Sequence, residues 1–518
     1  MSGIPAAESI ESGPAVPTVE TATTPALIGD SLAHGMTVAL LMTVFQRLIG
    51  LGRGFLFCGV LDDDQVGLWS LTQSLIFSLA PLAVLGTTSS LRRYVEHFRV
   101  REQLGGFLRI TLGSAALLAI VAAAILAVGS GSWARLLFRD PAQADLVLIV
   151  AVCLVAIVVF NTLQDLTESL RLLRAASWMR MIHSAGFTLL GAIFVLAISA
   201  DVIWVSIAFL IATLLACLPA WTALRSLRGK GVMGSLPVLQ QDVWKRIGRY
   251  ALWNCLISFI SNVFELSDRY MLLVLGGEPE VAQGLVGQYH TSRMIPVLML
   301  GVAMMVSNLL LPYLVTHWER RETVEVKRLL ELALKGMAIA GTFGSAAVIA
   351  LAPLTFGFLF QGRYDASVGI LPMTLVYCLW FSLYTIGEDY LWCCEKGGWA
   401  TGGLALAVLA NFGLNALLIP TWGLEGATFA TLLANGLAWA SLLLMGRRFG
   451  WSASPSLLII SAFPLVLLLG AIPALVSCIA LLVVLKQGGL IDEYERRTIE
   501  GLFAKLMTRL GRSNGSAA

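Results

Sequence analysis

Charge is what this chain has least of. Asp, Glu, Lys and Arg make up 13% of its 518 residues, there are five histidines, and 57% of the residues are hydrophobic. Soluble domains carry roughly twice that charged fraction, so an ordinary water-soluble fold is excluded. The net charge of +3 gives no reason to expect a nucleic-acid partner. Cysteine patterning is missing as well. The eight cysteines form no CxxC or metal-ligand spacing and fall mostly within apolar runs, where they read as small buried hydrophobes. No phosphate-binding glycine loop, catalytic triad or paired active-site carboxylates stand out, so the chain does not read as an enzyme. Lys and Arg are absent from residues 1–32. Without the positive n-region of a signal peptide, the first apolar span is expected to be retained.

What the chain does have is apolar runs of about 20 residues along nearly its whole length, the mark of an all-α polytopic membrane protein. The runs are continuous rather than alternating, which argues against a β-barrel. Spans are expected at 32–61, 66–91, 107–128, 146–170, 181–200, 202–224, 250–275, 286–316, 330–354, 368–393, 400–419 and 427–445. The stretch 456–485 is interrupted by Pro464, Gly470 and Pro473. It reads as one long tilted helix or two short ones, for twelve to fourteen spans in all. Loops after even-numbered spans carry Arg and Lys, and loops after odd-numbered spans are neutral or acidic. The positive-inside rule then places the even loops and the N-terminus in the cytoplasm. Arg135, Arg139 and Arg363 are the basic residues expected outside.

The organisation read from this pattern is a disordered tail (1–32), an N-lobe of six helices (33–227), a basic connector (228–249) and a C-lobe of six helices (250–446). Extra membrane helix follows at 447–486 and an amphipathic basic tail at 487–518. The halves resemble one another. Val66-Gly67-Leu68-Trp69 opens span 2 and Val286-Gly287-Gln288-Tyr289 opens span 8, each after an acidic turn. Two pseudo-symmetric lobes around a central cavity are expected from such a parallel repeat, with alternating access by rocking.

Charged residues inside the spans are the functional candidates, because a charge at bilayer depth costs at least a few kcal/mol. Span 1 carries Arg47 and Arg53. Span 7 carries Glu265, Asp268 and Arg269, and span 8 carries His290 and Arg293. If these spans line one cavity, its cationic excess suits a phosphate or pyrophosphate. The competing reading is that Arg293 pairs with Asp268 or Glu265 and only ties two helices. Six residues on a straight helix also set Arg47 and Arg53 about 120° apart, so a wide cavity or a bend at Gly50, Gly52 and Gly54 is required. Asp268, Glu265, Glu388 and Asp389 are the candidates for binding a coupling ion, Na+ or H+, with no other cofactor expected. Asp165 and Glu168 near the end of span 4 read as a solvated pair, and His183 as hydrogen-bonded packing.

Phe45-Gln-Arg47-Leu-Ile-Gly50-Leu-Gly-Arg53 resembles the first helix of the multidrug/oligosaccharidyl-lipid/polysaccharide (MOP) exporter superfamily, in its polysaccharide-transporter branch and its lipid II flippases. The stretch from Ser292-Arg293 to Pro312 resembles the eighth helix, and Ser267-Asp268-Arg269 the end of the seventh. The resemblance covers about residues 35–485. It implies a flippase for an undecaprenyl-pyrophosphate-linked oligosaccharide, with Arg47, Arg53 and Arg293 facing the cavity and Arg269 and His290 beside them. Lipid II flippases carry charges on their second helix, and the middle of span 2 has none, which favours an oligosaccharide-lipid. The expected partners are the bilayer, the polyprenyl-linked glycan, a polysaccharide polymerase and glycosyltransferases. The alternatives are a cation-coupled multidrug exporter and a lipid II flippase. A membrane polymerase or ligase would be expected to have a large external loop, whereas the longest outer connection here, 130–146, is about 17 residues.

Overall fold

The computed structural model describes residues 32–88, 90–229, 239–487 and 490. The expected disordered N-terminal tail, the middle of the basic connector and the expected amphipathic C-terminal tail lie outside the described residues. Apolar runs without internal partners in water fold as helices, which satisfy their own backbone groups in lipid. Among the described residues there is no strand.

The first half of the chain runs α1 (Leu32–Val60), α2 (Asp63–Ala83), α3 (Ser90–Val100), α4 (Leu104–Val128), α5 (Ser130–Leu137), α6 (Ala144–Ser169), α7 (Leu173–Ala197), α8 (Val202–Leu215) and α9 (Leu218–Gly229). The second half runs α10 (Gln240–Leu275), α11 (Pro279–Arg293), α12 (Val297–Glu319), α13 (Thr323–Phe360), α14 (Asp365–Cys393), α15 (Gly397–Arg448), α16 (Pro455–Ala462) and, after a 3-10 stretch at Phe463–Leu469, α17 (Ala471–Lys486). Nine helical stretches among the described residues are long and apolar enough to cross a membrane by length and composition.

Two breaks depart from the expected spans and two fall where a break was expected, and each has a local cause. The predicted second span stops early. α2 ends at Ala83, two residues after Pro81, and Leu85 and Gly86 then take positive φ. A Cβ on Gly86 would lie 2.2 Å from the Ala251 carbonyl oxygen, so only glycine lets this turn press against α10. The residues after the turn form α3, a separate amphipathic helix. Its Leu91, Val95 and Phe98 recur at helical spacing and pack with Phe107, Leu166, Val243 and Ile247. Span 8 is divided by Pro296, which lacks the N–H needed to continue the ladder, so α11 ends at Arg293. Spans 11 and 12 fall within α15, which bends back at Gly423 (φ 54, ψ −124) with Pro420 just before it. The apolar stretch 456–485 is divided at Gly470 (φ 97) into two short pieces.

The repeated Val-Gly pairs meet. α2 and α11 cross with Gly67 and Gly287 at the contact, and each accepts the other helix's backbone. A Cβ on Gly67 would stand 1.9 Å from the Gln283 carbonyl oxygen, and one on Gly287 would stand 1.9 Å from that of Asp63. Small residues at such crossings let helix backbones approach closely in a membrane.

Candidate functional site

The two arginines of α1 leave the helix in different directions, as the 120° separation on a straight helix requires. Arg53 turns to α7. Its guanidinium donates to the Ser184 carbonyl and to Thr188 Oγ1, both at 3.4 Å, and its Cζ lies 4.4 Å from the Phe187 ring centroid. Arg47 reaches α12, where its Cζ and Nε lie 3.3 Å from the position a Cβ on Gly301 would occupy. The absence of a side chain at Gly301 is what leaves room for that guanidinium. Arg47 is exposed and makes no hydrogen bond or ion pair among the described residues. The wide-cavity or bent-helix condition for one shared wall is therefore not met by contacts: α7 holds one arginine and α12 faces the other.

Arg293 ends α11, where the helix's unpaired carbonyls favour a cation. It is buried, with its Cζ 5.5 Å from the ring of Tyr289 one turn earlier. Arg269 is also buried and donates to Ser74 Oγ of α2, tying α10 to the first half of the chain. His290 is half-buried, and its Nδ1 is shielded from solvent with no hydrogen-bond partner among the described residues. Glu265 lies on α10, but its side chain is outside the described residues, so its pairing with Arg293 is not described.

Asp268 is 3% exposed and forms the hub of the most developed polar cluster. Its Oδ1 accepts from Asn411 Nδ2 at 3.0 Å and Asn415 Nδ2 at 2.8 Å. Its Oδ2 accepts from the Tyr289 hydroxyl at 2.6 Å and Thr431 Oγ1 at 2.8 Å. Tyr377 of α14 donates to the Tyr289 oxygen at 3.3 Å. The bend at Gly423 makes this possible, since it folds α15 back so that Asn411 and Asn415 from one arm and Thr431 from the other face the same carboxylate. Asn415 Oδ1 is buried without a donor among the described residues. No group of three or more His, Cys, Asp or Glu able to hold a metal exists among the described residues. All four groups on the carboxylate donate hydrogen bonds to it, as a buried carboxylate requires. Asn411, Asn415 and Thr431 were missed in the sequence because only ionised side chains were weighed. Two asparagines four residues apart in an apolar span were the available signal.

Asp389 lies on another face of α14. It is buried, accepts from Ser307 Oγ of α12 at 3.0 Å, and its second oxygen has no partner among the described residues. Glu388 beside it is half-buried. Glu168, expected to be solvated, forms a 2.6 Å ion pair with Arg180. Asp165 lines a cavity of about 430 Å³ between α2, α6 and α10, with Phe77, Asn161, Gln164, Tyr250 and Ser258. That cavity is polar rather than cationic, and none of the candidate arginines lines it. His183 is packing, as expected, with Nε2 at 3.1 Å from Thr213 Oγ1 and its ring against Phe160 and Phe209.

The end of the molecule carrying the α1–α2 turn is closed by two arginines in matching places. Arg139, in the turn after α5, donates to the carbonyls of Leu273, Val274 and Gly277 at 2.9, 3.3 and 2.9 Å, around the C-terminus of α10. Arg363, in the turn after α13, donates to the carbonyls of Gly59 and Leu61 at 2.5 and 3.3 Å, around the C-terminus of α1. Each half thus caps the helix that opens the other, the favourable position for a cation on a helix dipole. Cys58 is sealed beneath them, 1% exposed, with Sγ 3.3 Å from Thr291 Oγ1.

This fold is shared with solved transporters. The chain superposes on the lipid II flippase MurJ in an inward closed conformation with a TM-score of 0.67 at 15% identity, covering 84% of this chain and 92% of that one. An inward-facing multidrug resistance MATE family transporter gives 0.63 at 16% identity over 78% and 94%. A MOP superfamily transporter from Pyrococcus furiosus gives 0.54 at 16% identity over 83% and 95%. These likenesses define an all-α, multi-pass membrane protein with the MOP transporter fold. The family model described as "Polysaccharide biosynthesis protein" matches residues 32–318, and the chain belongs to that family, within the MOP superfamily. The "Uncharacterized membrane protein YabM" of Bacillus subtilis (strain 168) is 27% identical over 199 residues, 38% of this chain and 37% of that relative's length.

Proposed function

We propose that the chain is a flippase that carries an undecaprenyl-pyrophosphate-linked oligosaccharide across the bacterial inner membrane for surface polysaccharide assembly. The observation that carries this reading is Arg47. It is a permanent cation on the first membrane helix of a chain of the polysaccharide-biosynthesis family, set across from a helix of the other half and without an ion pair among the described residues. In this reading two six-helix lobes rock about the crossing of α2 and α11. Arg47 receives the diphosphate, with Arg53, held by α7, and Arg293, Arg269 and His290, on other helices, as further candidates, and no bond is made or broken. The N-terminus is cytoplasmic, and the end closed by Arg139 and Arg363 faces outward. Glycosyltransferases supply the passenger and a polymerase consumes it.

The Asp268 cluster fits a coupling ion. Its carboxylate and the Asn415 oxygen, which has no donor among the described residues, can ligate Na+, and the same carboxylate can accept a proton. Glu388 and Asp389 form the second place where a proton can reside. The mid-span of α2 carries no charge, which supports an oligosaccharide-lipid over lipid II as passenger.

The test is flipping of a polyprenyl-pyrophosphate oligosaccharide in proteoliposomes. Losing a charge-assisted contact to a diphosphate is worth about 1.5–3 kcal/mol, so Arg47→Ala is expected to slow flipping roughly ten- to hundred-fold. Arg47→Lys is expected to retain a measurable part. Wild-type flipping by Arg47→Ala removes this reading, and drug export in its place supports the multidrug alternative.

A further inference from the structure

The far end of the molecule from Arg139 and Arg363 carries a cluster the transport reading does not use. There α3 packs beside the start of α10, leaving a groove of about 700 Å³ lined by Phe98, Arg101, Leu239, Asp242, Lys245 and Arg246. His97 stands at its edge with two guanidiniums on one ring nitrogen. Arg101 donates to Nε2 at 2.7 Å, and Arg246 donates to the same atom. A neutral imidazole nitrogen offers a single lone pair, so the two like charges are held together by one weak acceptor. Arg101, Lys245 and Arg246 have no ion pair among the described residues, and Asp242 is the one carboxylate of the lining. The groove therefore carries an excess of about two positive charges.

We propose that this groove binds the phosphate-bearing headgroup of an anionic phospholipid. A phosphate oxygen between Arg101 and Arg246 would accept from both guanidiniums, which is the contact the imidazole now supplies poorly. The apolar surroundings select a lipid over a free anion. Leu239 is 73% exposed at the groove and Val100, next to Arg101, is 69% exposed. Exposed apolar side chains beside basic ones are the composition of a surface seated at the headgroup–acyl boundary. α3 is placed for this. Its apolar face is committed to the core through Leu91, Val95 and Phe98, so its basic side is held at the rim of the molecule. Because Arg101 belongs to the α3–α4 turn and Arg246 to α10, one headgroup would bridge the two halves of the chain.

The experiment is native mass spectrometry of the full-length protein released from micelles containing phosphatidylglycerol and phosphatidylcholine. The wild type is expected to retain phosphatidylglycerol preferentially. At ~1 kcal/mol for each basic residue near a charged membrane, Arg101→Gln with Arg246→Gln is expected to lower that preference about thirty-fold. The double Arg→Lys variant keeps the charge and is expected to keep most of the preference, which separates loss of the site from loss of folding. An unchanged preference in the double Gln variant overturns the proposal. Displacement of the lipid by excess inorganic phosphate overturns the lipid assignment in favour of a free anion.

Discussion

Arg47 and Arg53 belong to one short motif, yet they serve different neighbours. Spacing on a helix gives the angle between two side chains, but the rotation of the helix against its partners decides what each one meets. That is why the charged positions were legible in the sequence and their surroundings were not. Asp268 shows the same division. Its presence in an apolar span marked it, while the four donors that surround it come from α11 and both arms of α15 and could not be paired by inspection. Burying a carboxylate is costly unless it is fully hydrogen-bonded, so the cluster should be unforgiving. Asp268→Ala leaves Asn411, Asn415, Tyr289 and Thr431 facing an empty acceptor position. It is expected to lower stability by about 3–5 kcal/mol, read by thermal unfolding in detergent. Tyr289→Phe removes one donor and is expected to cost about 1–2 kcal/mol. Equal effects from the two would contradict the hub geometry.

Single residues place the breaks between elements. Pro296 was visible in the sequence, yet hydropathy alone ran straight through it, because the flanking residues are as apolar as the span itself, whereas the bend at Gly423 falls in the gap expected between 419 and 427. The early end of α2 was hidden for the opposite reason: Arg92 and Arg93 mimic a span terminus, whereas the chain turns earlier, at Leu85 and Gly86. The arginine caps on α1 and α10 also act on elements. Each contributes about 1–2 kcal/mol through charge-assisted bonds to helix-end carbonyls. Removing both with Arg139→Ala and Arg363→Ala is expected to raise the population open at that end at least ten-fold. Cys58 is the built-in reporter, since it is sealed in the closed state. Its alkylation by an impermeant maleimide, located by mass spectrometry, should rise in the double variant. Unchanged labelling would mean that the seal does not depend on the caps.

At the scale of the molecule, the repeat read from two Val-Gly pairs corresponds to a physical contact. Gly67 and Gly287 occupy the place where the halves touch most closely, and the closed arrangement exists only because neither has a side chain. Gly67→Ala places a methyl 1.9 Å from a carbonyl oxygen, a distance no rotamer relieves. The variant is expected to fold with the α2–α11 crossing forced apart, to label readily at Cys58 and to lose transport while still binding its passenger. Normal closure in that variant would place the pivot elsewhere. The class of protein was legible from composition, and the contact that lets its halves meet was legible as a weak repeat. The polar cavity beside Asn161 and Gln164 was not legible, because nothing in one strand of text says which neutral side chains share a space.

The bend in α15 has a consequence of another kind. At Gly423 the chain doubles back with no loop, and Gly426 lies so near Leu418 that a Cβ there would be 2.4 Å from its carbonyl oxygen. Two membrane rods joined this tightly leave no slack for an inserted tag, an epitope or a lineage-specific insertion. The length of the segment between Asn415 and Thr431 should stay fixed as the family diverges, even where its letters change.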